Sequence, residues 1–115
     1  MKTAGRYFER HGYAIKDTSG TEPYDLQLTK DRASFYVEVK GTTTDGEHVF
    51  VTKNEVRHAH AHPDLCKLFI VHHIVVDDVG SERPKVTGGI SCLIEPWNPS
   101  RERLTCLAYR YDVTR

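Results

Sequence analysis

The chain has 115 residues, and its 16 Lys and Arg balance 16 Asp and Glu to a formal net charge of zero. This length suits one domain with one core. The charge balance argues against a domain that by itself grips duplex nucleic acid chiefly by neutralising phosphates, because such a domain is usually basic, and leaves room for a local basic patch or for DNA delivered by another domain. No apolar run approaches the roughly 20 residues of a membrane span, and the start, Met1 to Arg6, has no apolar signal-peptide core.

Lys2 to His11 reads as a helix, with Ala4, Tyr7, Phe8 and His11 at helical spacing and Gly12 as its stop. A helix so near the first residue suits a single domain, residues 1–115, cut from a larger protein. Tyr13 to Ile15 has strand character, and Asp17 to Pro23 has the composition of a turn and loop. Two alternating runs follow, Tyr24 to Leu26 and Phe35 to Gly41. Phe35, Val37 and Val39 share one face of the second run, and Tyr36, Glu38 and Lys40 share the other. A polar loop then leads to a short third strand at His48 to Val51.

Thr52-Lys53-Asn54-Glu55 has the T-x-x-E form of a capping box, which opens a helix over Lys53 to Ala61 that stops near Pro63. Capping accounts fully for Glu55. Leu68 to Val76 is apolar and β-branched, the pattern of a central strand covered on both faces. Asp77 to Gly89 reads as a loop, Ile90 to Ile94 as a strand and Pro96 to Arg103 as a second loop. Leu104 to Val113 alternates and should close the sheet. The order implies an α/β fold, a small mixed β-sheet flanked by helices.

Three cysteines, Cys66, Cys92 and Cys106, are widely spaced and form no CxxC, so neither a zinc knuckle nor a disulfide framework is indicated. Cys92 and Cys106 fall in apolar runs and read as reduced core thiols, which suits a cytoplasmic protein.

The candidate site lies in the hairpin. If the two runs fold back between Asp31 and Arg32, residues whose numbers sum to 63 face each other and Asp25 sits opposite Glu38. Like charges at cross-strand separation are destabilising unless a cation lies between them. Hard divalent ions, Mg²⁺ or Mn²⁺, take carboxylate oxygens and waters, and they activate a water for phosphodiester hydrolysis. Asp25, Glu38 and the Val39 carbonyl could hold such an ion. Lys40 could orient the water or neutralise developing charge, and Glu9 could add a carboxylate if the first helix packs on the charged face. Lys53 and Arg57, four apart on the second helix, form a basic stripe suited to phosphate contacts in a nucleic acid. His58 and His62 could share a face, but no cysteine or carboxylate is spaced to complete a zinc site, and a solvated helix end explains them. His72 and His73 should point to opposite faces of the central strand.

Asp25, a gap, and Glu38-Val39-Lys40 resemble the D…(E/D)-x-K signature of the PD-(D/E)XK nuclease superfamily, with the proline of that name one place early at Pro23. The longer string Glu38 to Thr42, followed by Val51 to Glu55 and an apolar strand, is similar to the NO VEIN carboxy-terminal domain family, as are Gly12-Tyr13 and Tyr24-Asp25. The resemblance runs from about Gly5 to Val76. It implies a restriction-endonuclease-like fold and a site of Asp25, Glu38 and Lys40, with Glu9 as fourth member. It also implies a parent protein of the ATPase, helicase or defence type. The expected activity is a metal-dependent endonuclease acting on DNA, with RNA not excluded and a homodimer possible. The alternatives are a non-catalytic module on the same fold that binds nucleic acid or a partner, and a structural domain that self-associates through a sheet edge.

Overall fold

In the computed structural model, residues 2–77, 80, 82–83 and 85–114 are described. Helix α1 (Lys2–Arg10) is followed by strands β1 (Ala14–Asp17), β2 (Leu26–Lys30) and β3 (Ala33–Gly41). Then come helix α2 (Lys53–Ala61), β4 (Cys66–Asp77), β5 (Lys85–Ile94) and a 3-10 turn at Arg101–Arg103. The five strands form one sheet in chain order. Among the described residues only the β3–β4 pair is parallel; the others are antiparallel. A parallel pair needs a long crossover, and the segment carrying α2 supplies it. The fold is α/β with a small mixed sheet.

Alternation along the strands decides where each helix goes. Ala4 and Phe8 of α1 are buried with Leu26, Leu28, Val37, Phe69 and Val71, and Phe35 and Val39 pack at the edge of this cluster. Ala59 of α2 is buried with Cys66, Leu68, Ile70 and Trp97, and Tyr36 packs against these. Odd-numbered positions of β3 and β4 therefore meet α1 and even-numbered ones meet α2, because successive side chains point to opposite faces. The helices cover the sheet from opposite sides. Burying one Leu or Phe side chain in such a cluster contributes about 1.5–3 kcal/mol.

Several expected elements differ. His48 to Val51 is not a strand; β3 already has β2 and β4 as neighbours, and this segment instead leads into α2, with Val49 and Val51 packed against the cluster of Ala59, Cys66, Leu68, Ile70 and Trp97. The expected double cover of β4 holds only for its first half. Cys66 to Val71 is buried, whereas His72 to Asp77 alternates between half-buried and exposed. Two helices of nine residues, each about 14 Å long, cannot cover a strand of twelve. His73 has a positive φ of 56°, which breaks the alternation, and its Nδ1 lies 2.6 Å from Nδ1 of His72. The two rings therefore meet instead of facing opposite ways.

Of the loop expected over Asp77 to Gly89, residues 78, 79, 81 and 84 lie outside the described residues, and Lys85 to Gly89 belongs to β5. Leu104 to Val113 forms no strand and does not close the sheet. Leu107, Tyr109, Tyr111 and Val113 are exposed. Cys92 and Cys106 are exposed and Cys66 is the buried thiol, because β5 is an edge strand and the C-terminal segment lies off the sheet. No helix among the described residues is long and apolar enough to cross a membrane.

Candidate functional site

The site begins with a turn. Asp31 and Arg32 both have positive φ, 51° and 67°, as a two-residue type I′ turn requires. That turn fixes the register Leu26↔Val37, Leu28↔Phe35 and Lys30↔Ala33. The regular pairing ends there: the Asp25 N–H donates at 2.9 Å to the carbonyl of Val37, which is already the partner of Leu26, and not to Glu38. The ladder thus does not pair Asp25 with Glu38, but the two carboxyl groups lie in contact in one pocket. Asp25 Oδ2 accepts the Val39 N–H at 2.8 Å. A strand residue directs its N–H and C=O to the same side, so the Val39 carbonyl also points toward Asp25, beyond the end of β2.

Thr18 holds the segment before Asp25. It is buried, its hydroxyl donates to the Tyr24 carbonyl at 2.9 Å, and its N–H donates to the Asp25 carbonyl at 2.9 Å. The loop from Ser19 to Pro23 is thereby folded into one wall of a pocket of about 790 Å³. The opposite wall is the first turns of α2, with Asn54, Glu55, Arg57 and His58. Asp25 and Glu38 lie between these walls.

Glu38 was expected on a displayed face, but it is only 5% exposed, because the α2 side of β3 lies under the helix. Lys40, one strand step along, is 3.5 Å from Glu38 Oε1. It also donates to both oxygens of Glu55, at 3.0 and 3.1 Å. The capping box is fully formed. Glu55 Oε1 accepts the Thr52 N–H at 2.7 Å, and the Glu55 N–H donates to Thr52 Oγ1 at 3.1 Å. Glu55 is therefore a cap and a site carboxylate together.

Three carboxyl groups and one ammonium meet in a half-closed space, and their protonation follows from that. Burial pushes Glu38 up to about 9, assisted by its contacts with Glu55 and Asp25. Burial would also raise Glu55, but hydrogen bonds from Glu38, the Thr52 backbone and Lys40 outweigh it and hold Glu55 below its usual range. Burial opposes the charge on Lys40 as well; Glu55 and Glu38 overcome it, and its pKa is raised. The arrangement is a neutral Glu38 acid beside an ionised Glu55 clasped by Lys40. A proton occupies a place where a metal cation would be equally welcome.

The donors suit a hard ion. They are oxygens only: Asp25, Glu38 and the Val39 carbonyl. No group of three or more His, Cys, Asp or Glu among the described residues is arranged to hold a metal by itself. Two carboxylates, a carbonyl and several waters is the set that Mg²⁺ tolerates, since it dehydrates reluctantly.

The family model described as Protein NO VEIN, C-terminal, matches residues 1–87. The chain belongs to that family. No curated protein and no solved structure matches it. All the groups of the pocket lie inside the NO VEIN C-terminal span, whereas the end of β5, Trp97 and the C-terminal segment lie outside it.

The structure joins some expected residues and separates others. Asp25, Glu38, Val39 and Lys40 meet. Glu9 does not reach them: it is exposed on α1, which packs on the opposite face of the sheet. The C-terminal end of α1 is tied to the turn end of β2, where Lys30 Nζ donates to the His11 carbonyl at 2.9 Å. Asp25 lies at the other end of that strand, about 17 Å away at ~3.3 Å per residue. Arg57 lines the pocket, and Lys53 is exposed outside its lining. Cys66, which spacing did not connect to the histidines, places Sγ 3.6 Å from His58 Nδ1. Its thiol is pushed up to about 11 by burial and then by Glu38, which makes it a poor metal ligand.

Glu55 is the site residue that sequence reasoning passed over. The available signal was the Asn-Glu pair that the family resemblance retains there. It was masked by a capping motif that seemed a sufficient explanation.

Proposed function

We propose that this NO VEIN C-terminal domain is a metal-dependent endonuclease of the PD-(D/E)XK type, with DNA as its foremost substrate, working in a defence or DNA-processing protein. The observation that carries the reading is the placement of Asp25 beside Glu38 in the wall of a pocket, with Lys40 3.5 Å from Glu38. Mg²⁺ or Mn²⁺ would be held by Asp25, Glu38 and the Val39 carbonyl, and would supply Lewis-acid charge and a water of lowered pKa. Asp25 is oriented by the Val39 N–H. Lys40 neutralises charge developing on the phosphoryl oxygens, and Glu55 fixes the direction of its ammonium. Glu38 must lose its proton before it can ligate. Arg57 at the pocket mouth offers a bidentate phosphate contact.

The test pairs binding with cleavage. Calorimetric titration of Mn²⁺ should show one site in the wild type and none in Asp25→Asn. Incubation with DNA in Mn²⁺ should give cuts that Lys40→Ala reduces by about 100-fold or more. Equal Mn²⁺ binding by wild type and Asp25→Asn would refute the assignment. The zero net charge favours a second reading, a module that binds nucleic acid or a partner domain without cutting. Mn²⁺-independent binding with no cleavage by the domain or its parent protein would select it.

A further inference from the structure

The pocket has a second wall that hydrolysis does not use. Tyr24 and His58 both line it, with ring centroids 4.7 Å apart and planes 33° from parallel. Behind them stands Tyr36, 4.7 Å from Tyr24 and 5.0 Å from His58. Tyr36 packs in turn on the α2 cluster. At that separation and angle Tyr24 and His58 stack on one another, and His62 packs on His58 at 4.6 Å, so of these rings it is Tyr24 that offers a face to the pocket it lines. Asn54 and Arg57 add an amide and a guanidinium along its rim.

We propose that this wall stacks the base of an unpaired nucleotide, so that the domain takes single-stranded or locally opened nucleic acid and presents the adjoining phosphate to Asp25 and Glu38. The proposal rests on the nuclease reading for the phosphate and on the aromatic geometry for the base. Three considerations support it. A pocket of about 790 Å³ lies within the range of small-molecule sites and has room for a nucleotide. A base paired within a duplex has both faces covered, so only an unpaired base can lie against the Tyr24 ring. With no net charge, the domain cannot rely on counterion release, and stacking supplies affinity that does not depend on it.

The test is fluorescence anisotropy on the full chain, with Ca²⁺ in place of Mn²⁺ to hold back cleavage. The probes are labelled oligo-dT, oligo-U, an abasic deoxyribose-phosphate strand of equal length, and a hairpin duplex. At least one base-bearing strand should bind about tenfold or more tighter than the abasic strand and the duplex, and the tighter of oligo-dT and oligo-U names the preferred sugar. Tyr24→Leu, which keeps bulk but removes the π face, should cost about tenfold on that strand and nothing on the abasic one. The logarithm of affinity should fall with the logarithm of salt at a slope of about −1 to −2, because each neutralised single-strand phosphate adds about −0.7.

Equal binding of the abasic and base-bearing strands would overturn the proposal, as would Tyr24→Leu binding like wild type. Should Tyr24→Leu melt early, Tyr24→Phe is the second variant: retained binding upholds stacking, and abasic-like binding by a folded Phe variant overturns it. The two readings fail separately. Base-dependent binding without any cleavage in Mn²⁺ removes the nuclease and keeps the stacking wall. Cleavage of the abasic strand and the duplex as readily as the base-bearing strand removes the wall and keeps the nuclease.

Discussion

Lys40 clasps both carboxylate oxygens of Glu55, at 3.0 and 3.1 Å. A lysine on the third strand is thereby tied to the first turn of the second helix. The ion pair is partly shielded, with side-chain exposures of 22% and 14%, so its loss is felt more than that of a surface pair. Lys40→Met should destabilise the domain by roughly 2 kcal/mol, read as a lower urea midpoint with an unchanged slope. It should also move the Glu55 carboxyl titration upward, which carboxyl-detected NMR would follow.

Glu55 can be split into its two roles. Glutamine at the third helical position still accepts the backbone N–H of a capping box, but it cannot pair with an ammonium as a carboxylate does. Glu55→Gln should therefore keep the cap, lose about as much stability as Lys40→Met through the broken ion pair, roughly 2 kcal/mol, and lose cleavage. Glu55→Ala should lose cleavage and about 1 kcal/mol more. Far-ultraviolet circular dichroism and cleavage assays on the two variants separate the effects. Full activity in Glu55→Gln would return the residue to a purely capping role.

Stability should respond to pH through Glu38. Its folded pKa is raised to about 9 from an ordinary 4.5. Between those values the folded domain holds a proton that the unfolded chain has released. This contribution is complete below pH 4.5 and lost as pH climbs through 9. The wild type should lose roughly 2 kcal/mol relative to Glu38→Gln from pH 5 to 9, less than full linkage because the pocket mouth admits solvent. Urea titrations of both proteins at pH 5, 7 and 9 measure it; parallel curves would mean that Glu38 is ionised throughout.

The C-terminal segment makes no strand pairing, and its apolar side chains are exposed. A chain shortened after Arg103 should fold with a stability within about 0.5 kcal/mol of the full chain. A larger loss in chemical denaturation would show that Leu104 to Val113 supports the core.

The hairpin was legible because a two-residue turn leaves no freedom in register: once Asp31 and Arg32 are the turn, Leu26 must pair with Val37, which brings Asp25 to the neighbourhood of Glu38. The second helix was legible from Thr52 and Glu55 alone. What could not be read was the side of the sheet each helix takes, since that depends on the crossover between β3 and β4 and on which apolar stripe wins which face. For this reason Glu9 seemed available and Glu55 seemed spent. Leu104 to Val113 shows a different limit. A period of two states that a segment can be a strand, not that a neighbouring edge stands ready to pair with it.

Because one oxygen of Glu55 serves both the Thr52 backbone and Lys40, the start of α2 and the orientation of Lys40 open and close together. Helix ends are where native structure frays first. Each transient unwinding of that first turn frees the lysine from Glu55, so under the proposed nuclease reading the fraction of molecules poised for chemistry cannot exceed the fraction with an intact helix start. A ligand that settles in the pocket and steadies the turn would raise that fraction, making occupancy and competence one equilibrium.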